Sequence, residues 1–354
     1  MNVDCIVVGS HLRFDGVWQR PQQLLTRIAA RVPVLFVEES FLATVDCDDL
    51  RVRGNVTILR PLRTTHASSV DVETVASVRT WIGQRRALFW LYTPMMLALA
   101  DADPNAPIVY DCMDELAAFD FAPPELRARE TDLLARAQAI FCGGRSLFDA
   151  RKHLGPHVYL FESGVEFEHF ASARTIVPHP LLSNLPHPIC GYIGVVDERI
   201  DIELLETLAV RACSVVLIGP IVKIEPAILP QRTNVHFTGQ IDYADLPAVL
   251  AGLDVALMPF ARNAATANIS PTKTPEYLAA GVAVVSTRIA DVVASYGDVV
   301  TIAEDAESFA DAAMTAARIP PERILEGIAR ARSMSWDAIV ARMWETLESE
   351  WPRP

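Results

Sequence analysis

The sequence predicts an α/β protein made of two doubly wound parallel-sheet domains. Short β-branched apolar runs alternate with helix-patterned segments along almost the whole chain, which calls for parallel strands with helices on both faces. The alternation breaks once, in Ser172-Ala-Arg-Thr-Ile-Val-Pro-His-Pro-Leu-Leu-Ser-Asn-Leu-Pro-His-Pro188, and then restarts, so this four-proline run reads as a linker. The length of 354 residues also exceeds the roughly 250–300 at which one core stops growing.

The first unit opens with a strand over 5–8, a long loop Gly9-Ser-His-Leu-Arg-Phe-Asp-Gly16, a helix over 21–31 begun by Pro21, and a strand over 34–37. Long loops at the carboxyl ends of parallel strands are where ligands bind. Gly9 and Gly16 do not form G-x-G-x-x-G, which speaks against a dehydrogenase. Strands follow at 56–59, 87–92, 108–111, 139–142 and 158–161, with helices at 70–84, 94–101, 124–137 and 146–154. Beyond the linker, strands are expected at 189–193, 214–218, 235–238, 255–259, 282–285 and 299–302, with helices at 202–210, 243–250, 309–318 and 321–333. Trp336, Ile339, Val340, Met343, Trp344 and Leu347 recur at helical spacing, so a terminal helix needs a partner surface. The expected division is 1–172 and 173–335, with 336–354 packing back on the first domain.

A net charge of −13 argues against nucleic acid as a partner, because the phosphate term would be repulsive overall. Residues 1–175 hold 18 Lys+Arg against 22 Asp+Glu and the remainder 13 against 22, so an anionic ligand in the second half must be held by a few placed groups. Cys5, Cys47, Cys112, Cys142, Cys190 and Cys213 form no C-x-x-C or Cys/His cluster and read as reduced core residues, which points to the cytosol rather than to zinc. Asp46-Cys-Asp-Asp49 and Asp101-Ala-Asp103 are carboxylate-rich, but they lie in loops and read as solvated, so no metal is assigned. The N-terminal stretch lacks the basic and long apolar regions of a signal peptide, and no window is a membrane span. A cytoplasmic location is expected, with peripheral contact at the inner face of the membrane left open.

The most informative stretch is Ser270-Pro-Thr-Lys-Thr-Pro-Glu-Tyr-Leu-Ala-Ala-Gly281, followed by an apolar run. A polar turn carrying Lys273 enters a short helix, and the first turn of a helix offers N–H donors and a positive dipole end to a phosphate. Glu276, one turn in, is an acceptor suited to a vicinal diol such as ribose. The pattern reads as a nucleotide-sugar site.

Six stretches, in order over nearly the whole chain, resemble those of GT-B glycosyltransferases, specifically the bacterial family 1 and family 4 groups. They are Gly16-Val-Trp-Gln-Arg-Pro-Gln22, Tyr110-Asp-Cys-Met-Asp-Glu115, Ser163-Gly-Val-Glu166, Gly191-Tyr-Ile-Gly194, Val235-His-Phe-Thr-Gly239 and the 270–287 stretch. The resemblance implies two Rossmann-like domains facing a cleft, the C-terminal one holding a nucleoside-diphosphate-sugar donor, a UDP-sugar foremost, and the N-terminal one a glycan, lipid-linked or small-molecule acceptor. It implies no metal and no further cofactor. Glu276 falls on the ribose-binding position. Lys273, Thr272 and Ser270 would hold the diphosphate, with Gly194 in the first loop of that half.

Two departures stand out. Asn268 replaces a second Glu that the family often has, and Val195 replaces its usual Arg, leaving Arg199 to supply the phosphate contact. In the first half, His11 and Asp15, with Gly16, bracket the long loop, and a loop histidine has a pKa suited to general base work. Asp114 is the preferred cleft carboxylate, either deprotonating an acceptor or orienting a sugar, while Asp111 reads as a strand-end residue bonded to local backbone. Trp18, Gln19 and Arg20 either line the acceptor cleft or, for Trp18, staple the helix start. A nucleotide-sugar epimerase and a non-catalytic nucleotide-sugar or glycan-binding protein are the rival readings, the latter kept open by Asn268 and Val195.

Overall fold

A computed structural model describes residues 3–16, 18–65, 70–118, 122–263, 266 and 269–351. The chain divides into two compact units, Met1–Glu162 with Trp336–Pro354, and Ser163–Ser335. The first contains β1 (Cys5–Ser10), α1 (Arg20–Ile28), β2 (Val34–Glu38), β3 (Phe41–Leu42), β4 (Cys47–Arg53), β5 (Val56–Arg63), α2 (Val72–Ile82), β6 (Ala87–Leu91), β7 (Ile108–Cys112), α3 (Leu126–Arg136), β8 (Ala139–Cys142), α4 (Arg145–Arg151) and β9 (Val158–Leu160). Its strand order is β3-β5-β2-β1-β6-β7-β8-β9, with β4 pairing β5 antiparallel and the other pairs parallel. Ile6, Val8 and Phe36 enter one apolar core and Val7, Leu35 and Val37 another, so successive residues feed opposite faces of a sheet covered on both.

The β3 and β4 strands carry no period-two apolar signal. Leu50 and Val52 are exposed alongside Arg51 and Arg53, so neither face of β4 is buried enough to mark it. The carboxylates of this region are also less solvated than their loop position suggests. Arg63 draws Asp48 to 2.8 Å and Asp71 to 2.6 Å, and the Asp46 carboxylate accepts the Thr64 N–H at 2.5 Å. Segment 94–102 is a 3-10 run rather than an α-helix, entered where the Thr93 hydroxyl accepts the Met95 N–H.

The second unit contains α5 (Phe167–Ala171), β10 (Ile189–Ile193), α6 (Ile202–Ala209), β11 (Ser214–Ile218), β12 (Val235–Gly239), α7 (Leu246–Ala251), β13 (Val255–Met258), α8 (Lys273–Ala280), β14 (Ala283–Thr287), α9 (Ala290–Tyr296), β15 (Thr301–Ala303), α10 (Ala306–Thr315) and α11 (Pro321–Ser333). All six strands are parallel in the order β12-β11-β10-β13-β14-β15. That is the doubly wound order 3-2-1-4-5-6, whose direction reverses between β10 and β13. The first unit reverses in the same way between β1 and β6.

The proline-rich run 172–188 lies inside the second unit, which begins at Ser163 rather than at 173. Ala173 and Leu182 are buried in the unit's core, and the His179 N–H donates to Ala248 O at 2.8 Å, so the prolines line a packed surface segment. The final helix, α12 (Trp336–Glu350), belongs to the first unit. Trp336, Ile339, Val340, Met343 and Leu347 join the core beside α1, and Asp337 accepts from Arg27 at 3.0 Å. Cys5, Cys112, Cys142, Cys190 and Cys213 are buried and free, as core cysteines are, while Cys47 is exposed. No helix among the described residues is long and apolar enough to cross a membrane.

Candidate active site

The candidate residues follow the carboxyl ends of β1 and β7 in the first unit and of β10 and β13 in the second, the last two strands flanking the strand-order reversal. In the second unit Gly194 and Gly219 directly follow β10 and β11, and Gly239 ends β12. The Gly194 N–H donates to Ile218 O at 2.8 Å and the Gly219 N–H to Gly239 O at 2.9 Å. Gly219 sits at φ +145, and a Cβ there would fall 2.0 Å from Gly194 O, so the two loops meet backbone to backbone. Gly219→Ala is therefore expected to lower stability by about 1–3 kcal/mol, read as a drop in the urea midpoint. An unchanged midpoint would show that the loops separate easily.

The loop after Gly194 is fastened to its neighbours. Val196 bridges Ile221, Ile200 bridges Phe260, and the Ala261 N–H donates to Arg199 O at 2.8 Å. Arg199 itself grips Asp197, with Nε 2.9 Å from Oδ1 and Nη2 2.7 Å from Oδ2. The guanidinium that the sequence offers to a phosphate is thus already partnered. Any ligand contact has to share it with Asp197.

α8 begins on the far side of the reversal. Thr272 takes the N-cap position without a side-chain cap, so its hydroxyl is not used by the helix. The first turn holds fewer donors than its sequence suggests, because Pro275 has no N–H and the Thr274 N–H goes to Pro271 O at 3.3 Å. The Lys273 ammonium is the cation of this turn. It lies 3.2 Å from Glu276 Oε2, and both side chains are partly exposed. Tyr277, wholly buried beside Glu276 in sequence, accepts the Ile193 N–H at 2.9 Å. This hydrogen bond ties the middle of α8 to the end of β10, so Glu276 and Gly194, each next in sequence to a bonded residue, are held in one frame. Nothing in the sequence singled out Tyr277. Ser270 is half-buried in the turn before α8, and Asn268 lies outside the described residues.

In the first unit the loop from Gly9 to Gly16 is anchored midway. Phe14 is buried against Phe36, with ring centres 5.1 Å apart, and its N–H donates to buried Glu38 at 2.9 Å. Glu38 in turn holds Arg60 at 3.0 Å. The Gly16 N–H closes a turn onto Arg13 O at 3.1 Å. Asp15 lies 2.9 Å from Arg53, whose hydrogen bond holds its pKa below the usual carboxylate range. A carboxylate so stabilised is a poor proton acceptor near neutrality. Burial pushes the His11 pKa down to about 4, and its Nδ1 is buried without a hydrogen-bond partner. His11 is therefore a neutral imidazole at physiological pH.

Gln19 and Gln22 form the capping box of α1, so these residues start a helix. Trp18 is half-exposed and meets Phe14 edge-on at 6.2 Å. Arg20 does not line a surface. It is buried and paired with Asp111 at 3.0 Å. Asp111, expected to bond local backbone, instead accepts from Arg20 and from Trp90 Nε1.

The rest of the Tyr110–Glu115 stretch is similarly occupied. The Tyr110 hydroxyl donates to Glu130 at 3.0 Å, and Arg151 lies 2.9 Å from both Glu115 and Glu130. Asp114 alone among its charged residues has no ion pair among the described residues, and burial pushes its pKa up to about 6 against the opposing field of Arg20. No three His, Cys, Asp or Glu side chains gather into a metal-binding group among the described residues.

Residues 188–318 match the family described as Glycosyl transferases group 1. Among solved structures, the whole chain superposes on HepE of Anabaena in complex with UDP, with a TM-score of 0.71 at 14% identity, covering 98% of this chain and 100% of that one. Sucrose-phosphate synthase of Thermosynechococcus elongatus gives 0.70 at 16% identity over 98% of each chain. The chain has the GT-B fold. A trehalose-6-phosphate protein of E. coli bound with UDP-2-fluoro glucose shares it, with a TM-score of 0.72 at 13% identity over 99% of this chain and 100% of that one. In sequence, this GT-B chain is 25% identical over 227 residues to the putative teichuronic acid biosynthesis glycosyltransferase TuaH of Bacillus subtilis (strain 168). The match takes in 58% of this chain and 56% of that relative's length.

Proposed function

We propose that this chain is a metal-independent glycosyltransferase. It moves a sugar from a nucleoside diphosphate, UDP foremost, to a hydroxyl of a glycan, lipid-linked or small-molecule acceptor. The observation that carries the reading is the frame at the strand-order reversal of the second unit, where Tyr277 ties the Lys273–Glu276 turn to the β10 end. That is where doubly wound sheets take nucleotides. The match of residues 188–318 and the UDP-bound HepE and trehalose-6-phosphate neighbours support the same ligand class.

In this reading Glu276 accepts from the ribose hydroxyls, and the Lys273 ammonium, with Ser270 and Thr272, meets the diphosphate. Positive charge placed there stabilises the leaving diphosphate as the sugar bond breaks, the work a metal does in other transferases. Gly194 keeps the facing backbone open to the ligand, and Arg199 adds a contact shared with Asp197.

Asp114 is assigned the acid/base or sugar-orienting role, because its pKa of about 6 lies nearest the working range. His11, neutral, serves as a hydrogen-bonding group, and Asp15 with Gly16 shapes the loop. Peripheral membrane contact belongs with a lipid-linked acceptor.

Incubation with UDP-, GDP- and TDP-sugars tests the assignment. Slow release of the diphosphate is the expected result. An altered but intact donor would make the protein an epimerase, and binding without turnover a carbohydrate-nucleotide binding protein.

A further inference from the structure

β4 is an open edge of the first unit's sheet. It pairs antiparallel with β5 from Cys47↔Leu62 to Arg53↔Val56, and among the described residues no strand pairs its other side. With seven residues it is longer than the other edge strands, β3 with two, β9 and β15 with three and β12 with five. A two-residue turn, Gly54-Asn55, with Gly54 at φ +57, holds it to β5, so its outward backbone groups are already extended before anything binds. Leu50 and Val52 stand on the same face as Leu59, which pairs with Leu50 and is 1% exposed, yet they are themselves 57% and 67% exposed. A further strand beside β4 would cover them. On the other face Asp49 and Arg51 hold each other at 2.6 Å.

We propose that β4 pairs antiparallel with β4 of a second copy of this chain, the two-fold axis passing beside Leu50. The charge pattern selects both the occupant and the register. About that axis Asp49 of each copy falls opposite Arg51 of the other and Leu50 opposite Leu50. Val52 falls opposite Asp48, whose charge is already held by Arg63 at 2.8 Å. Moving the axis to residue 49 or 51 would set Asp49 or Arg51 against itself, and a slip by one residue along either strand would turn the apolar side chains to the wrong face. Four alternating charges thus close around the axis on one face, while the Leu50 and Val52 side chains of both copies meet on the other. One strand from each copy makes an interface at the small end for protein pairs, so the dimer is a weak one, dissociating at about 1–100 µM.

Sedimentation velocity of the full chain across about 1–200 µM tests this, since that range spans the expected dissociation constant. The mass should rise from 38.9 kDa toward twice that value. Asp49→Arg and Arg51→Asp, each of which sets like charges opposite one another, should weaken the dimer about tenfold, and the exchanged double variant Asp49→Arg/Arg51→Asp should restore it. Leu50→Lys should weaken it by a similar factor. If the charge variants do not fold, cysteine cross-linking reads the same register. In a Cys47→Ser background, Leu50→Cys should cross-link to its own copy under mild oxidation, whereas Val52→Cys, about 14 Å from its own copy along the strands, should not.

A mass that stays at 38.9 kDa throughout overturns the proposal, as does a dimer indifferent to the charge exchange or one that cross-links through residue 52 and not 50. A chain that stays monomeric and floats with anionic phospholipid vesicles, more strongly as Asp49→Arg, would assign this edge to a membrane surface instead. The opposite signs expected for Asp49→Arg, a weaker dimer but a stronger hold on anionic vesicles, keep the two outcomes apart.

Discussion

Asp114→Asn lowers turnover of a nucleotide-sugar by about 10²–10⁴-fold while leaving KM for the donor within a few-fold, the range associated with loss of a positioned acid/base group. The substitution keeps the shape of the side chain and removes its titration. The carboxyl of the parent chain has its pKa pushed up to about 6 by burial, so the competent anion accumulates above pH 6 and is lost below it. Parent turnover therefore falls on the acid side with a midpoint near 6, and the residual activity of the variant lacks that limb. Steady-state rates across pH 4.5–8 check both statements. A variant with normal turnover, or one that retains the acid limb, removes Asp114 from the chemistry.

Glu276→Ala should weaken UDP binding about 10–100-fold, because a hydrogen bond to a charged acceptor is worth about 1.5–3 kcal/mol. Pyrophosphate, which has no ribose, should bind the variant at least as well as the parent. Glu276 sits 3.2 Å from Lys273 in a partly exposed pair, and removing the carboxylate frees the ammonium for phosphate. Such pairs add little to folding, so the melting temperature should hardly change. Calorimetry with both ligands distinguishes the ribose role from a general loss of charge. Equal weakening of UDP and pyrophosphate would place Glu276 on the phosphate instead.

Much of the fold was legible because parallel strands buried on both faces are near-continuous apolar runs, as in 5–8 and 34–37. β4 was not, since Leu50 and Val52 face solvent among charged neighbours and carry no burial pattern. The break at 172–188 was visible, but its meaning was not. Prolines report that regular structure stops, whereas the unit boundary depends on what Ala173 and Leu182 pack against.

Among the candidate residues, Lys273, Glu276 and Asp114 were picked out by local residue type and by the family resemblance. The hidden parts are long-range partnerships. Tyr277 reaches Ile193, Arg20 reaches Asp111 across 91 positions, and Asp197 captures Arg199 because the intervening turn brings the two side chains together. Residue type names a charge, and only the fold says which charge is already spoken for.

The chain enters and leaves the second unit at one place. The Val165 N–H donates to Met334 O at 3.0 Å, and Val165 bridges Ser335. The unit is thus an insert whose two ends are stitched together, while the first unit is split and draws Trp336, Ile339 and Met343 into its core from the far side of the insert. During synthesis the first unit lacks those side chains until the whole of 163–335 has been made. The order of completion along the ribosome is therefore inverted, the inserted unit closing its core before the one that precedes it.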